Sequence, residues 1–520
     1  MPISPLRVSI LPLLFLGFVA ASCRDSGAPN AALPPQITRI EALSPQQEPV
    51  SDALWTSTNE IRALQLAPGG VWAATAGGVG LFDGKTWTKW TRKNGLPSNE
   101  ALAIEAKNGE ITARFPTASA TWSGGKWNVE TAPVFAPVSQ KMSWKNRPLT
   151  VTLEGLKWGD SNVALPPEST GTHITGIVPQ KNGTLLTAIY GDGLWNFDGA
   201  RWARAFAVPE SAREITALAG DGNVLWMGTR RAGIFRRQNE KWTPFSTSDE
   251  PFSHNIQALS QFQGVLWAST LDDGLICRSG AGWRHFSTPL LSSSAPRQMT
   301  VWKNRLYVRH GGGAVDSFDG INWTKGDLAD IPRKGIYALA GDETRLYAAG
   351  WGGWSEWDGQ SWKAHFDIAE LQGVPVLGIL PDEDCVWIAT QSRGLGRWNR
   401  QSGEFRWFDE RDGLSDDWIT ALAKIDGKIY AGTFVGGLAR LDGEKWHVFP
   451  ALRGLNVTAI EADGQGGARA ATRHGLWKIS GEKAEKETAD WLDNEQQALL
   501  ATKTGVWVGT RTSLSFLAAK

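Results

Sequence analysis

Along the chain, apolar residues come in short runs broken by Gly, Asp and Asn, with no sustained helical period after the amino terminus. The runs share a grammar. An apolar opening such as Ile215-Thr216-Ala217-Leu218 or Ile419-Thr420-Ala421-Leu422 is followed by a turn such as Asp221-Gly222-Asn223 or Asp426-Gly427. A second run then carries an aromatic residue followed by small partners, as in 225–229 and 429–433. A short irregular tip leads to a third run, and an Asp-Gly pair brings in a fourth that opens on or near Trp. Those pairs fall at Asp83-Gly84, Asp198-Gly199, Asp319-Gly320, Asp358-Gly359 and Asp442-Gly443. Asp-Gly tolerates the positive φ of a tight hairpin, so each unit predicts four short antiparallel strands.

The unit repeats. Segments 71–87, 225–242, 266–283, 306–323, 346–362, 386–407 and 429–446 align, with most spacings at 39 to 41 residues. From Trp72 to Trp507 is 435 residues, which eleven such steps would span, giving about twelve units. They start near 59, 99, 138, 173, 214, 255, 297, 335, 375, 418, 456 and 495, and the pattern thins to an outline at 134–170 and near 463–486. Four strands repeated without helices predict an all-β fold, a β-propeller of about twelve four-stranded blades. Rings usually hold about four to eight blades, so two rings are expected, split 6+6 or 7+5, with one large ring as the alternative. The last unit ends soon after its third strand, and 37–43 has strand composition without an obvious partner. Pairing the two would cover both open edges, so the termini are expected to share a blade.

Residues 1–22 read as an export signal, with Arg7 ahead of the apolar stretch from Val8 to Ala21. That stretch is too short to span a bilayer comfortably. It ends in Ala20-Ala21-Ser22-Cys23, which resembles the lipobox of bacterial lipoproteins and implies lipidation at Cys23. Residues 23–36 then form a small, polar, Pro-containing tether, and 37–520 hold the repeats. The expected location is outside the cytoplasm, on a membrane by lipid anchor only, facing the periplasm or cell exterior.

Composition narrows the function. Lys plus Arg and Asp plus Glu are both 53, so the formal charge is zero and nucleic acid is not an expected partner. The chain holds 28 Trp against 5 Tyr. In a propeller, outer-strand indoles such as Trp87 fill the widening wedge between blades, each contributing about 2–3 kcal/mol on burial. Cys277 and Cys385 are read as buried free thiols, with a disulfide between them left open. Seven scattered His form no metal-ligand spacing, and neither a GxSxG elbow nor a P-loop occurs, so no metal, cofactor or catalytic set is expected. Asp382-Glu383-Asp384 reads as a solvated turn rather than a calcium site.

The stretch 413–449, with Gly95-Leu96-Pro97-Ser98-Asn99 and Leu225-Trp226-Met227-Gly228-Thr229, resembles the two-component-regulator propeller repeat. That family carries a Gly-Leu-Pro/Ser opening, a Trp-x-Gly-Thr core and a Gly-Leu turn. The resemblance implies a ligand-binding sensor-type propeller outside the cytoplasm. No kinase or DNA-binding segment follows the repeats here, so the expectation is a sensor without its own output domain.

In a four-stranded blade the tips between strands two and three share one rim with the blade-to-blade connections. Candidate ligand-binding residues on those tips are Tyr190, Asp192, Arg230, Arg231, Asp272, Asp273, His310, Trp351, Arg393, Phe434, Arg473 and His474. Mixed charge with aromatics suits an uncharged or zwitterionic polar ligand better than a polyanion. Trp351, between Gly350 and Gly352, is the sharpest candidate for a stacking platform. The expected partners are a polar small molecule, a glycan or peptide, or an envelope protein. A carbohydrate-active hydrolase or lyase using Asp272, Asp273 and Asp192 is one alternative, and an envelope assembly scaffold is another.

Overall fold

A computed structural model describes residues 7–9, 36–45, 47–131, 140–152, 154–246, 253, 255–280, 282–328, 330–332, 335–489 and 492–519. Cys23 and most of residues 1–36, where a signal and tether are expected, lie outside the described residues; Arg7–Ser9 pairs antiparallel with 421–423. Among the described residues there is no α-helix, only strands and five short 3-10 turns, and no segment long and apolar enough to cross a membrane as a helix. The strands form twelve antiparallel sheets, ten of four strands and two of five. The protein is all-β and a propeller in architecture, with a sheet even at 141–164, where the repeat is only an outline.

The chain divides into two compact units. The first takes residues 1–54, 255–489 and 493–520; the second takes 55–254 and 490–492. In the first, seven sheets follow one another, and their opening strands neighbour in succession from 256–262 through 496–501, which lies against 256–262 again. The second holds five sheets. Its 61–90 sheet packs on both the 103–131 and 215–245 sheets, and the series continues through 174–204 to 141–164.

Small residues set how close the sheets approach. A Cβ on Gly432 would come within 2.6 Å of Val457 Cγ1, and one on Gly509 within 2.5 Å of Ile256 Cγ2. In the five-sheet unit, a Cβ on Gly228 would lie 2.4 Å from Ile61 Cγ2. Each is the glycine of an aromatic-x-Gly-Thr core, and each meets the first residue of a neighbouring opening strand. Gly509 and Gly228 join sheets far apart in sequence. The aromatic residue of the same run is buried in nearly every sheet, as at Trp226, Trp267, Tyr307, Tyr347, Trp387, Tyr430 and Trp507.

The Asp-Gly hairpins form as expected. Asp83 Oδ1 accepts the amides of Lys85 and Thr86 at 2.7 and 2.8 Å, and Asp319 Oδ1 those of Ile321 and Asn322 at 3.0 and 2.7 Å. Gly84 and Gly320 sit at φ 100° and 108°, which favours glycine.

The termini share a sheet, but not through the segment 37–43. Ala53–Trp55 supplies the outer strand beside Leu514–Ala518. Gln36–Arg39 instead adds a fifth strand to the 296–325 sheet, pairing with Asn322–Lys325. The apolar pattern explains the difference. Ile40 and Leu43 pack on the core shared by the 256–286 and 296–325 sheets, and the Ile40 amide donates to Ile321 O at 2.9 Å. Those two side chains hold 36–43 there, leaving 53–55 to complete the last sheet.

Both described cysteines are free thiols, Cys277 buried and Cys385 half-buried. Burial pushes their thiols up to about 12 and about 11.

Candidate functional site

Two local devices recur at one end of the sheets. The first is a bulge in the opening strand. Eight sheets shift register there, leaving Arg62, Thr175, Thr216, Gln257, Arg297, Thr420, Thr458 and Gln497 as extra residues. The extra residue reaches the next sheet. Thr175, Thr420 and Thr458 donate their hydroxyls to Ile215 O, Val457 O and Gln496 O at 2.8, 2.6 and 2.9 Å.

The second device is a backbone hydrogen bond from the first tip residue to the residue just before the opening strand. It joins Tyr190 to His173, Arg230 to Glu214, Phe434 to Trp418, Arg473 to Asn456 and Arg511 to Glu495, at 3.0 to 3.3 Å. The bond sets two side chains beside each other. Trp418 and Phe434 stack at 4.1 Å and 16°, and His173 and Tyr190 at 5.5 Å and 17°. Arg511 Nε lies 2.9 Å from Glu495, and Arg230 4.0 Å from Glu214. This end of the sheets therefore carries pairs, one member on the tip and one leading the strand.

In the five-sheet unit these devices line a cleft of about 260 Å³, formed by Glu60, Ile61, Arg62, His173, Thr175, Tyr190, Thr216 and Arg230. Tyr190 Oη donates to Glu214 Oε1 at 3.1 Å, and Arg231 lies 3.3 Å from the other oxygen of that carboxylate. Arg62 is held by Glu100 at 2.7 Å and Glu60 at 3.3 Å. Burial pushes the Tyr190 phenol above its usual value, against the opposing hydrogen bond with Arg230, so it remains a hydrogen-bond donor. His173 Nδ1 meets Thr172 Oγ1 at 2.8 Å. Three guanidinium and three carboxylate groups thus interlock around the cleft, and their formal charges cancel.

Of the tip residues expected from the sequence, Tyr190 and Arg230 line this cleft, and Arg231 braces it through Glu214. Asp192 does not face it. Its side chain is almost fully enclosed, accepting from Ser169 Oγ at 2.6 Å and Trp195 Nε1 at 2.9 Å, with Arg204 at 2.9 Å. Burial alone would raise this carboxyl, but those donors hold it below the usual carboxylate range.

In the seven-sheet unit, Trp351 is 52% exposed and bridges to Pro375, ahead of the next sheet. Arg393, Arg473, His474 and Asp272 are exposed tip residues, and Phe434 is half-buried against Trp418. Asp273 and His310 turn inward instead. Asp273 is buried, with its carboxylate 3.7 Å from His285 Nε2. His310 is fully buried, and its Nε2 is 2.8 Å from Asp316. Asp272 and Asp273 therefore point to different environments and do not face one another as a catalytic pair. No group of three or more metal-ligating side chains occurs among the described residues.

Sequence reasoning missed Glu60, Arg62, His173, Thr216, Glu214 and Trp418. Each sits on, or one residue before, the opening strand, just outside the variable tips. The available signal was position: each is the residue before the apolar-x-Ala/Gly-apolar run, or the x within it.

No protein-family model and no curated protein matches the chain. Among solved structures, it is similar to the extracellular domain of a protein described as the hybrid two component system BT4673 of B. thetaiotaomicron. That match has 16% identity and TM-score 0.44, covering 89% of this chain and 70% of that one. The corresponding domain of BT3049 from the same organism matches at 17% identity and TM-score 0.44, over 89% and 68%. The WD40 propeller domain of Doa1 matches at 11% identity and TM-score 0.38, over 51% and 94%.

Proposed function

We propose that the protein is an exported, sensor-like binding propeller that captures a small polar ligand without net charge, a sugar or short peptide, in the Glu60–Arg230 cleft. The observation that carries this reading is Thr216. At the same bulge position, Thr175, Thr420 and Thr458 each bond the first carbonyl of the next opening strand. The Thr216 hydroxyl is buried and makes no hydrogen bond among the described residues, and Thr216 lines the cleft. An unsatisfied buried hydroxyl costs about 1–3 kcal/mol, which a ligand hydroxyl or carbonyl would recover. Interlocked charges favour the same class, because paired guanidinium and carboxylate groups retain unused donors and lone pairs for a neutral partner. An anionic ligand would have to break a pair. A volume of about 260 Å³ suits a ligand near the small end of the usual range.

The test is a thermal-shift and calorimetric screen of neutral mono- and disaccharides, amino acids and dipeptides. Arg230→Ala and Thr216→Val are expected to weaken the best binder about ten-fold or more, while Trp351→Ala leaves it unchanged. Loss of binding in Trp351→Ala with retention in both cleft variants would refute the assignment. Membrane attachment through Cys23 is part of the same proposal, and fatty-acid labelling that disappears in Cys23→Ala is its expected signature.

A further inference from the structure

Two arginines in the seven-sheet unit belong to none of the pairs above. Arg297 is the extra residue of the bulge between Pro296 and Gln298, and Arg309 lies directly opposite Gln298 on the next strand. Opposite residues of an antiparallel pair project to one face. Gln298 uses that face to bond the next sheet, donating to Leu339 O at 2.8 Å and accepting from Leu339 N at 2.9 Å. Arg309 is therefore directed at the same junction.

Two other enclosed arginines in this unit meet carboxylates: Arg440 with Asp442 at 2.6 Å, and Arg400 with Glu356 at 3.7 Å. Arg309 does not. Among the described residues its one hydrogen bond is a long one, from Nη1 to His310 O at 3.4 Å, and its Nε is buried without a partner. Burial first, and then the like charge of Arg297, pull its guanidinium down to about 10. Arg297 makes no hydrogen bond to the described residues, and Asp272 supplies its countercharge at longer range.

There is also room. The adjoining tip is Gly311-Gly312-Gly313. A Cβ on Gly311 would find Arg297 Nε as its nearest atom, at 3.6 Å, and one on Gly312 would find nothing within 4 Å. Two convergent guanidinium groups, one with an unmet buried donor, beside a tip without side chains, are suited to an oxyanion. The planar fork of arginine matches carboxylate and phosphate oxygens in pairs.

We propose that Arg297 and Arg309 form an oxyanion site at the junction of the 296–325 and 338–365 sheets, taking the carboxylate or phosphate group of a small ligand. It is independent of the cleft in the five-sheet unit.

The experiment titrates the full chain with inorganic phosphate and, separately, with acetate. Calorimetry and melting temperature are read against sodium chloride at matched ionic strength. Saturable binding of either anion, with a rise in melting temperature above the chloride control, is expected, and the stronger arm identifies the group. Arg309→Met is expected to abolish the anion-dependent rise while melting no lower than the wild type in chloride, because it removes an unmatched buried charge. Arg297→Gln, a milder change, is expected to weaken binding at least ten-fold and carries the test if Arg309→Met does not fold. Identical curves in phosphate, acetate and chloride would overturn the proposal, as would an undiminished anion response in either variant. Binding that survives in Arg230→Ala separates this site from the cleft.

Discussion

Asp192 shows how a single side chain on a variable tip can be structural. Its carboxylate gathers Ser169, Trp195 and Arg204, and Arg204 lies over the Trp195 ring at 4.4 Å. Hydrogen bonds to a charged group contribute about 1.5–3 kcal/mol each, while the Arg204 pair is partly exposed and worth less. Asp192→Ala should therefore destabilise the protein by about 2–3 kcal/mol in urea unfolding followed by Trp fluorescence, and leave cleft binding unchanged. A binding defect without a stability loss would return Asp192 to the ligand site. At this scale the sequence is an uneven guide. The Asp-Gly turns are legible because Asp83 and Asp319 act on amides two and three residues away. Asp192, Asp273 and His310 are not, because the direction of a tip side chain depends on where other elements place its partners: Ser169 for Asp192, His285 for Asp273 and the buried Asp316 for His310.

At the scale of the strand and sheet, the repeat predicts elements well and partnerships less well. Four strands per unit follow from local turns and alternation. The strand that closes the last sheet does not, because 37–43 and 53–55 both have strand character and only the burial of Ile40 and Leu43 decides between them. The tip-to-strand pairing was hidden for a related reason. It becomes visible only once tip and opening strand are set side by side, and then His173, Glu214 and Trp418 all fall at the same position. Elements also carry an acid sensitivity. Burial opposes ionisation of Asp316 and Glu356, but His310 and Ser292 around the first, and His365, Trp354 and Arg400 around the second, hold both below the usual carboxylate range. A depressed folded value contributes stability above the unfolded value of about 4, and that stability is lost as pH falls through the folded value. Unfolding midpoints in urea should thus be flat from pH 7 to 5 and drop below pH 4. Glu356→Gln should be less stable at pH 7 and show a shallower drop; a midpoint that rose on acidification would contradict the pairing.

For the whole molecule, the repeat yields the fold class because twelve similar units leave few architectures open. It leaves the division of the chain open between 6+6, 7+5 and one large ring. Seven sheets cluster in one unit and five in the other, and the five-sheet unit interrupts the sequence of the seven-sheet unit after residue 54. Nothing in the local pattern marks that point, since the contacts that define it, such as Gly228 on Ile61 and Gly509 on Ile256, join distant segments. Function follows the same logic: fold alone hosts many activities, and the ligand chemistry must come from the pairs that each unit places at its rim. The most direct measurement is amide hydrogen exchange of the full chain with and without the tightest ligand of the screen. Protection is predicted at 60–62, 173–175, 214–216 and 230–231, with none at the opposite hairpins 83–86 and 198–201. Protection confined to those hairpins, or to the 434–436 and 351–352 tips, would contradict the account.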